Sequence, residues 1–164
     1  MFVGREKELQ NFNQLYRTNK FQFLVIYGRR RVGKTALINE FVKGKETIFF
    51  TGLETNSKQN LENFSKSVFS YISGFSSASS FDSAPVFQNF QEALEYVFIL
   101  SQNKRIILVI DEYPYVAKSC EGFASILQVL IDKYKDISKL FLIICGSSMS
   151  FMEEQVLGYK SPLY

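Results

Sequence analysis

A chain of 164 residues, 46% of them hydrophobic, can bury one sizeable core and form a single domain, with no room for a second full one. It contains no histidine, which removes histidine-dependent triads and most catalytic zinc sites. A formal charge of +3 is too mild to demand nucleic acid as a partner, and the placement of charge says more: three of the six arginines stand together at Arg29, Arg30 and Arg31.

Cys120 and Cys145 match no metal-ligand spacing, and two scattered cysteines read as a reduced, cytoplasmic chain. The N-terminus becomes charged at Arg5, too soon for a signal peptide. Apolar runs of about six residues fall far short of the roughly 20 that span a bilayer, so no membrane is expected.

In chain order, Leu9, Phe12 and Tyr16 mark one face of a first helix over residues 5–19. Residues 21–27 read as an apolar strand, and Gly28 begins a loop that leads into a helix at 33–42. A second strand is predicted at 47–51, and Leu61, Phe64, Val68 and Tyr71 then repeat at helical spacing. The Ser-rich stretch 73–85, with Gly74 and Pro85, reads as a surface loop. Phe87, Phe90, Leu94 and Val97 give the next helix, and 106–110 a third strand with two acids directly after it. Phe123, Leu127, Leu130 and Tyr134 form another helical stripe, and 140–145 is a fourth buried strand. Ser150 and Glu153 have capping-box spacing, which predicts a short last helix opened by Ser150.

Apolar strands without polar alternation, separated by helices, predict an α/β fold: a parallel sheet covered on both faces in three layers. The 17 phenylalanines fall mostly on helical core stripes, which argues against a base-stacking surface.

Between the first strand and its helix, Gly28-Arg29-Arg30-Arg31-Val32-Gly33-Lys34-Thr35 fits G-x-x-x-x-G-K-[ST] without departure. Glycines at the fixed positions let the backbone turn its amides towards phosphate oxygens. Lys34 supplies a point charge for the β and γ phosphates, and Thr35 a hydroxyl for Mg²⁺. Ala36 and the residues after it open a helix whose dipole is positive at this end. The three arginines read as a solvated loop tip, or else one of them touches phosphate or a neighbouring subunit's nucleotide.

Asp111 and Glu112 follow the third strand in the form of a Walker B segment. Asp111 then stands at the strand end, where ligands bind in open α/β sheets, and is expected to hold Mg²⁺. Glu112 is expected to polarise the water that attacks the γ-phosphate. The plain alternative is a strand end followed by a turn at Tyr113-Pro114. After the fourth strand, Ser147 is the preferred hydroxyl for reaching that water or the γ-phosphate, with helix capping as its alternative.

Taken with Phe2-Val3-Gly4-Arg5-Glu6, Tyr113-Pro114-Tyr115, Cys145-Gly146-Ser147-Ser148 and the closing Ser161-Pro162-Leu163-Tyr164, these motifs resemble the archaeal and bacterial P-loop ATPases of the AAA+-like and STAND group. The resemblance spans nearly the whole chain in the family's order. It implies an ASCE-type P-loop NTPase core with strand order 5-1-4-3-2, ATP and Mg²⁺ as cofactors, and hydrolysis that drives a switch or motor. It also implies that Arg5 lies near the nucleotide's base or ribose; by position alone Arg5 is simply a charge in the first helical turn.

Family members continue beyond this point with a fifth strand, a helical lid and often a nuclease-like domain. Residues 1–164 are therefore expected to form a partial ATPase core, with coupling to DNA only through a C-terminal region outside this sequence. No arginine follows Arg105, so an arginine finger, which contributes roughly 10³–10⁵ in rate, has no source here. The chain alone is expected to bind nucleotide and hydrolyse it slowly, and the open edge of its first strand to favour self-association. A P-loop kinase with a small acceptor and a nucleotide-ordered, non-catalytic interaction module remain as alternatives. No N-K-x-D guanine motif is present.

Overall fold

The computed structural model describes residues 5–74 and 85–157; the motif residues Phe2, Val3 and Gly4, most of the Ser-rich stretch, and Ser161 to Tyr164 lie outside them. The elements run α1 (Glu6–Arg17), β1 (Gln22–Tyr27), α2 (Lys34–Val42), β2 (Thr47–Thr51), α3 (Ser57–Ser73) and α4 (Phe90–Leu100). Then come β3 (Ile106–Asp111), α5 (Tyr113–Ser119), α6 (Phe123–Tyr134), β4 (Leu140–Gly146) and α7 (Met149–Gln155).

The four strands form one parallel sheet in the order β1-β4-β3-β2. This matches the expected order for these strands, with β4 inserted between β1 and β3. Alternate side chains of the central strands feed two cores. Ile107, Val109, Phe141, Ile143 and Cys145 pack against Phe12 of α1 and Leu37, Ile38 and Phe41 of α2. Ile106, Leu108, Ile110, Leu142 and Ile144 pack against the other face, with Phe64, Leu94 and Leu127 from α3, α4 and α6. Each such apolar side chain contributes about 1.5–3 kcal/mol on burial. The α2 helix is thereby held rigidly against the sheet, which fixes the position of its first turn.

β3 and β4 are buried at every residue, as their unbroken apolar runs predict. β1 is only half-buried from Gln22 to Ile26, and exposed at Tyr27, despite a similar sequence, because among the described residues it is an outer strand with one neighbour, β4. No helix among the described residues is long and apolar enough to cross a membrane.

The remaining differences from the sequence reading are local. Ser73 still belongs to α3, and Gly74 caps it in a left-handed conformation. Phe87 precedes α4, whose cap is Asn89, the side chain accepting from the Glu92 amide. The last helix is opened by Ser148 rather than Ser150, and no side-chain cap bond forms; Ser150 lies inside the first turn. Tyr113-Pro114, where a simple turn was only the alternative reading, begins a helix, α5. Proline in a first helical turn loses no hydrogen bond, so there it starts a helix as readily as it ends one elsewhere.

Arg105 lies just before β3, at the opposite end of the sheet from the strand ends that carry the acids. Its guanidinium donates to the carbonyls of Lys139 and Leu15 at 2.6 and 3.2 Å and stacks 5.1 Å from the Tyr16 ring. Burial holds its pKa below the usual arginine value. It fastens the start of the strands, and is too far away in the fold to serve a site at their ends.

Candidate functional site

In a parallel sheet the loops that can gather a ligand leave the carboxyl ends of the strands, most usefully where the strand order reverses. Here β1, β4 and β3 are adjacent, so the segments after Tyr27, Gly146 and Asp111 meet at one edge. They enclose a cavity of about 220 Å³ lined by Arg30, Arg31, Gly33, Lys34, Thr35, Ala36, Asp111, Glu112 and Ser147. A larger cavity of about 460 Å³ opens between β2 and α3, bordered by Lys45, Glu46 and Tyr71. It contains none of the sequence-predicted residues.

The 28–35 loop takes conformations that most residues resist. Gly33, the N-cap of α2, is left-handed at φ 86°, where a side chain would be strained. Arg31 adopts φ 66° without that freedom, which costs about 1–2 kcal/mol. Compensation comes from within the loop: Lys34 Nζ donates to the carbonyls of Gly28 at 2.7 Å and Arg29 at 2.6 Å. Lys34 is only 9% exposed, so its charge sits beneath the loop rather than in solvent.

Thr35 and Asp111 approach from different elements. Strand parity sends Asp111 to the same face as Val109, towards α2, where Thr35 Oγ1 lies 3.4 Å from its Oδ2. Asp111 is 7% exposed, and its other oxygen accepts from the Glu112 amide at 2.9 Å. Cys145, one step beyond the Ile110–Ile144 register pair, lies beside Asp111 on β4. Its thiol pKa is pushed up to about 12, first by burial and then by the Asp111 carboxylate, while Lys34 opposes the shift. The thiol therefore stays neutral and adds no anionic charge beside the aspartate.

Glu112 takes the left-handed conformation at φ 52° as N-cap of α5. That bend turns the chain from strand to helix within one residue and leaves Glu112 on the cavity wall. Gly52, just after β2, makes the bend possible: a Cβ there would lie 2.7 Å from the Glu112 carbonyl oxygen and 3.3 Å from the Val116 amide nitrogen. Because both neighbours are backbone, Gly52→Ala is expected to lower stability by about 1–3 kcal/mol and to displace Glu112. Urea unfolding measures this, and an unchanged midpoint would remove the close approach from the account. Sequence reasoning passed over Gly52, although a glycine immediately after a strand is the signal for such an approach.

The other predicted residues divide. Arg30 and Arg31 line the cavity, whereas Arg29 contributes its carbonyl to Lys34. Val32 is exposed and offers its carbonyl to Arg5, whose guanidinium donates at 2.6 Å and also lies 3.7 Å from Glu8. Arg5 thus reaches the loop from α1 without entering the cavity. Gly28 lies beside Val32, whose Cγ2 would be 3.5 Å from a Cβ at position 28, an ordinary contact. Ser147 lines the cavity, and Ser148 falls at the N-cap of α7. Arg30 also donates to the Tyr115 hydroxyl at 3.0 Å, a link that sequence reasoning did not anticipate.

A family model described as an ATPase domain predominantly from Archaea matches residues 2–164. An uncharacterized protein of Methanocaldococcus jannaschii is 36% identical over the whole chain, which spans 34% of that relative's length. An uncharacterized ATP-binding protein of the same organism is 46% identical over 46 residues, covering 28% of this chain and 78% of that one. Among solved structures, a Walker-type ATPase of Pyrococcus abyssi superposes with a TM-score of 0.69 at 19% identity, over 99% of this chain and 51% of that one. Cdc6p from Pyrobaculum aerophilum gives 0.61 at 15% identity, over 94% and 41% respectively. These structures share the fold, and this chain spans about half of their length or less.

Proposed function

The chain belongs to the ATPase-domain family found predominantly in Archaea, and on that premise we propose that its 28–35 loop binds ATP with Mg²⁺ and that Glu112 promotes hydrolysis by water. The observation that carries this reading is the convergence of Lys34, Thr35, Asp111, Glu112 and Ser147 on one cavity at the sheet's carboxyl edge. No other described cavity combines a left-handed glycine loop, a buried ammonium group and a strand-end carboxylate pair.

The donor set suits Mg²⁺. Among the described residues no cluster of three or more His, Cys, Asp or Glu side chains could form an all-protein metal cage. One buried carboxylate and one hydroxyl 3.4 Å apart fit a hard cation that takes its remaining ligands from phosphate and water. Thr35 and Asp111 would hold it; when bound, Mg²⁺ supplies charge neutralisation on the phosphates. Lys34 exchanges its two loop carbonyls for phosphate oxygens and balances their charge from below. Glu112 accepts a proton as the water oxygen bonds to the γ-phosphorus and the bond to the β–γ bridging oxygen breaks, leaving ADP and phosphate. Ser147, which also lines the cavity, orients that water. Coupling to a switch or motor would run through α5 and α7, the helices that directly follow Glu112 and Ser147.

The test is a calorimetric titration of the chain with ATP and Mg²⁺. Saturable binding at one site per chain is expected, with weaker binding when EDTA removes the metal. A flat titration would overturn the reading.

A further inference from the structure

The arginines of the loop are not equivalent, and one of them is tied to the element that carries Glu112. Arg30 lines the cavity, yet its guanidinium is held by the Tyr115 hydroxyl, 85 positions away in sequence, at 3.0 Å. Tyr115 stands in the first turn of α5, where its amide donates to the Glu112 carbonyl at 3.0 Å. The contact therefore bridges the loop and the glutamate's own turn. We propose that Tyr115 is a positioning residue that aims Arg30 at the terminal phosphate, so that the pair distinguishes a nucleoside triphosphate from a diphosphate. This rests on the reading that the cavity holds the polyphosphate.

The chemistry of the partner supports it. An exposed arginine loses side-chain rotamer freedom when it grips a ligand, and a fixed acceptor removes part of that cost before a ligand arrives. A carboxylate in the same place would fix the side chain and also neutralise it. A tyrosine hydroxyl fixes it and leaves the charge available. Arg30 belongs to none of the ion pairs found among the described residues. Its guanidinium has five donors, and Tyr115 engages one of them. Because Tyr115 sits beside Glu112, the tether draws Arg30 to the side of the cavity where the γ-phosphate must lie for water to be activated. Lys34, approaching from beneath the loop, serves the β and γ oxygens together and discriminates less.

The experiment measures the affinities of a non-hydrolysable ATP analogue and of ADP, both with Mg²⁺, for four proteins: the unmodified chain, Tyr115→Phe, Arg30→Ala and the double variant. Phenylalanine keeps the ring and removes only the hydroxyl. The ratio of triphosphate to diphosphate affinity is expected to fall about tenfold or more in Arg30→Ala, the range of one hydrogen bond to a charged group. In Tyr115→Phe it is expected to fall several-fold, and in the double variant no further than in Arg30→Ala. A merely structural role for Tyr115 would weaken both nucleotides alike and leave the ratio unchanged. An unchanged ratio in Tyr115→Phe, or additive losses in the double variant, overturns the inference while leaving nucleotide binding in place. No saturable binding of either nucleotide by the unmodified chain overturns the underlying reading, and the inference with it.

Discussion

Replacing Glu112 with glutamine is expected to leave ATP affinity within about twofold and to cut phosphate release by about 10²–10⁴-fold, the range of a general base. Glutamine has nearly the same shape and cannot accept the proton from water. The local backbone permits the exchange: Glu112 is already left-handed at φ 52°, and its main-chain bonds, from its amide to Asp111 and from the Tyr115 amide to its carbonyl, do not involve the side chain. Folding should therefore be unaffected, so a loss of turnover reports on chemistry. Single-turnover phosphate release together with a binding titration separates the two effects. Unchanged hydrolysis would remove Glu112 from the mechanism.

Lys34→Ala is expected to weaken ATP binding by about 10²–10³-fold. Truncating one member of a desolvated charge pair costs about 2–5 kcal/mol, and each 1.4 kcal/mol is tenfold in affinity. The ammonium group is almost enclosed and already bonded to two carbonyls of the loop that would cradle the phosphates. Its removal takes away the ligand's principal cation and also releases the loop's backbone. Lys34→Met separates these effects in part, because it keeps most of the buried stem and lacks the charge. Both variants are expected to lose affinity, with alanine the more disordered by circular dichroism and thermal melting. Retention of full affinity in Lys34→Met would show that the charge is not what binds.

Much of the fold was legible because the core strands are uniformly apolar. Residues 106–110 and 140–145 can only be central strands, and the helical stripes between them leave a covered parallel sheet as the natural arrangement. Other positions are ambiguous by composition. Pro114 signals a stop in most contexts, and only the left-handed Glu112 before it converts that signal into the start of α5. Ser147, Ser148 and Ser150 are chemically alike, and the end of β4 decides which of them faces the cavity and which precedes the helix. β1 carries an apolar sequence like that of β4, but its half-burial depends on having a single neighbour among the described residues.

The sequence by itself determined the candidate groups: a glycine-spaced loop ending in Lys34-Thr35 and an acidic pair after an apolar strand, each local and each dictated by residue type and spacing. Only the tertiary structure decided how these pieces share a site. Lys34 and Asp111 are brought to one cavity by a strand order in which β4 separates β1 from β3, and Tyr115 reaches Arg30 across 85 positions. Gly52 matters because two backbones pass within contact there. Such relations are set by packing between elements distant in the chain, and no local pattern of side chains encodes them.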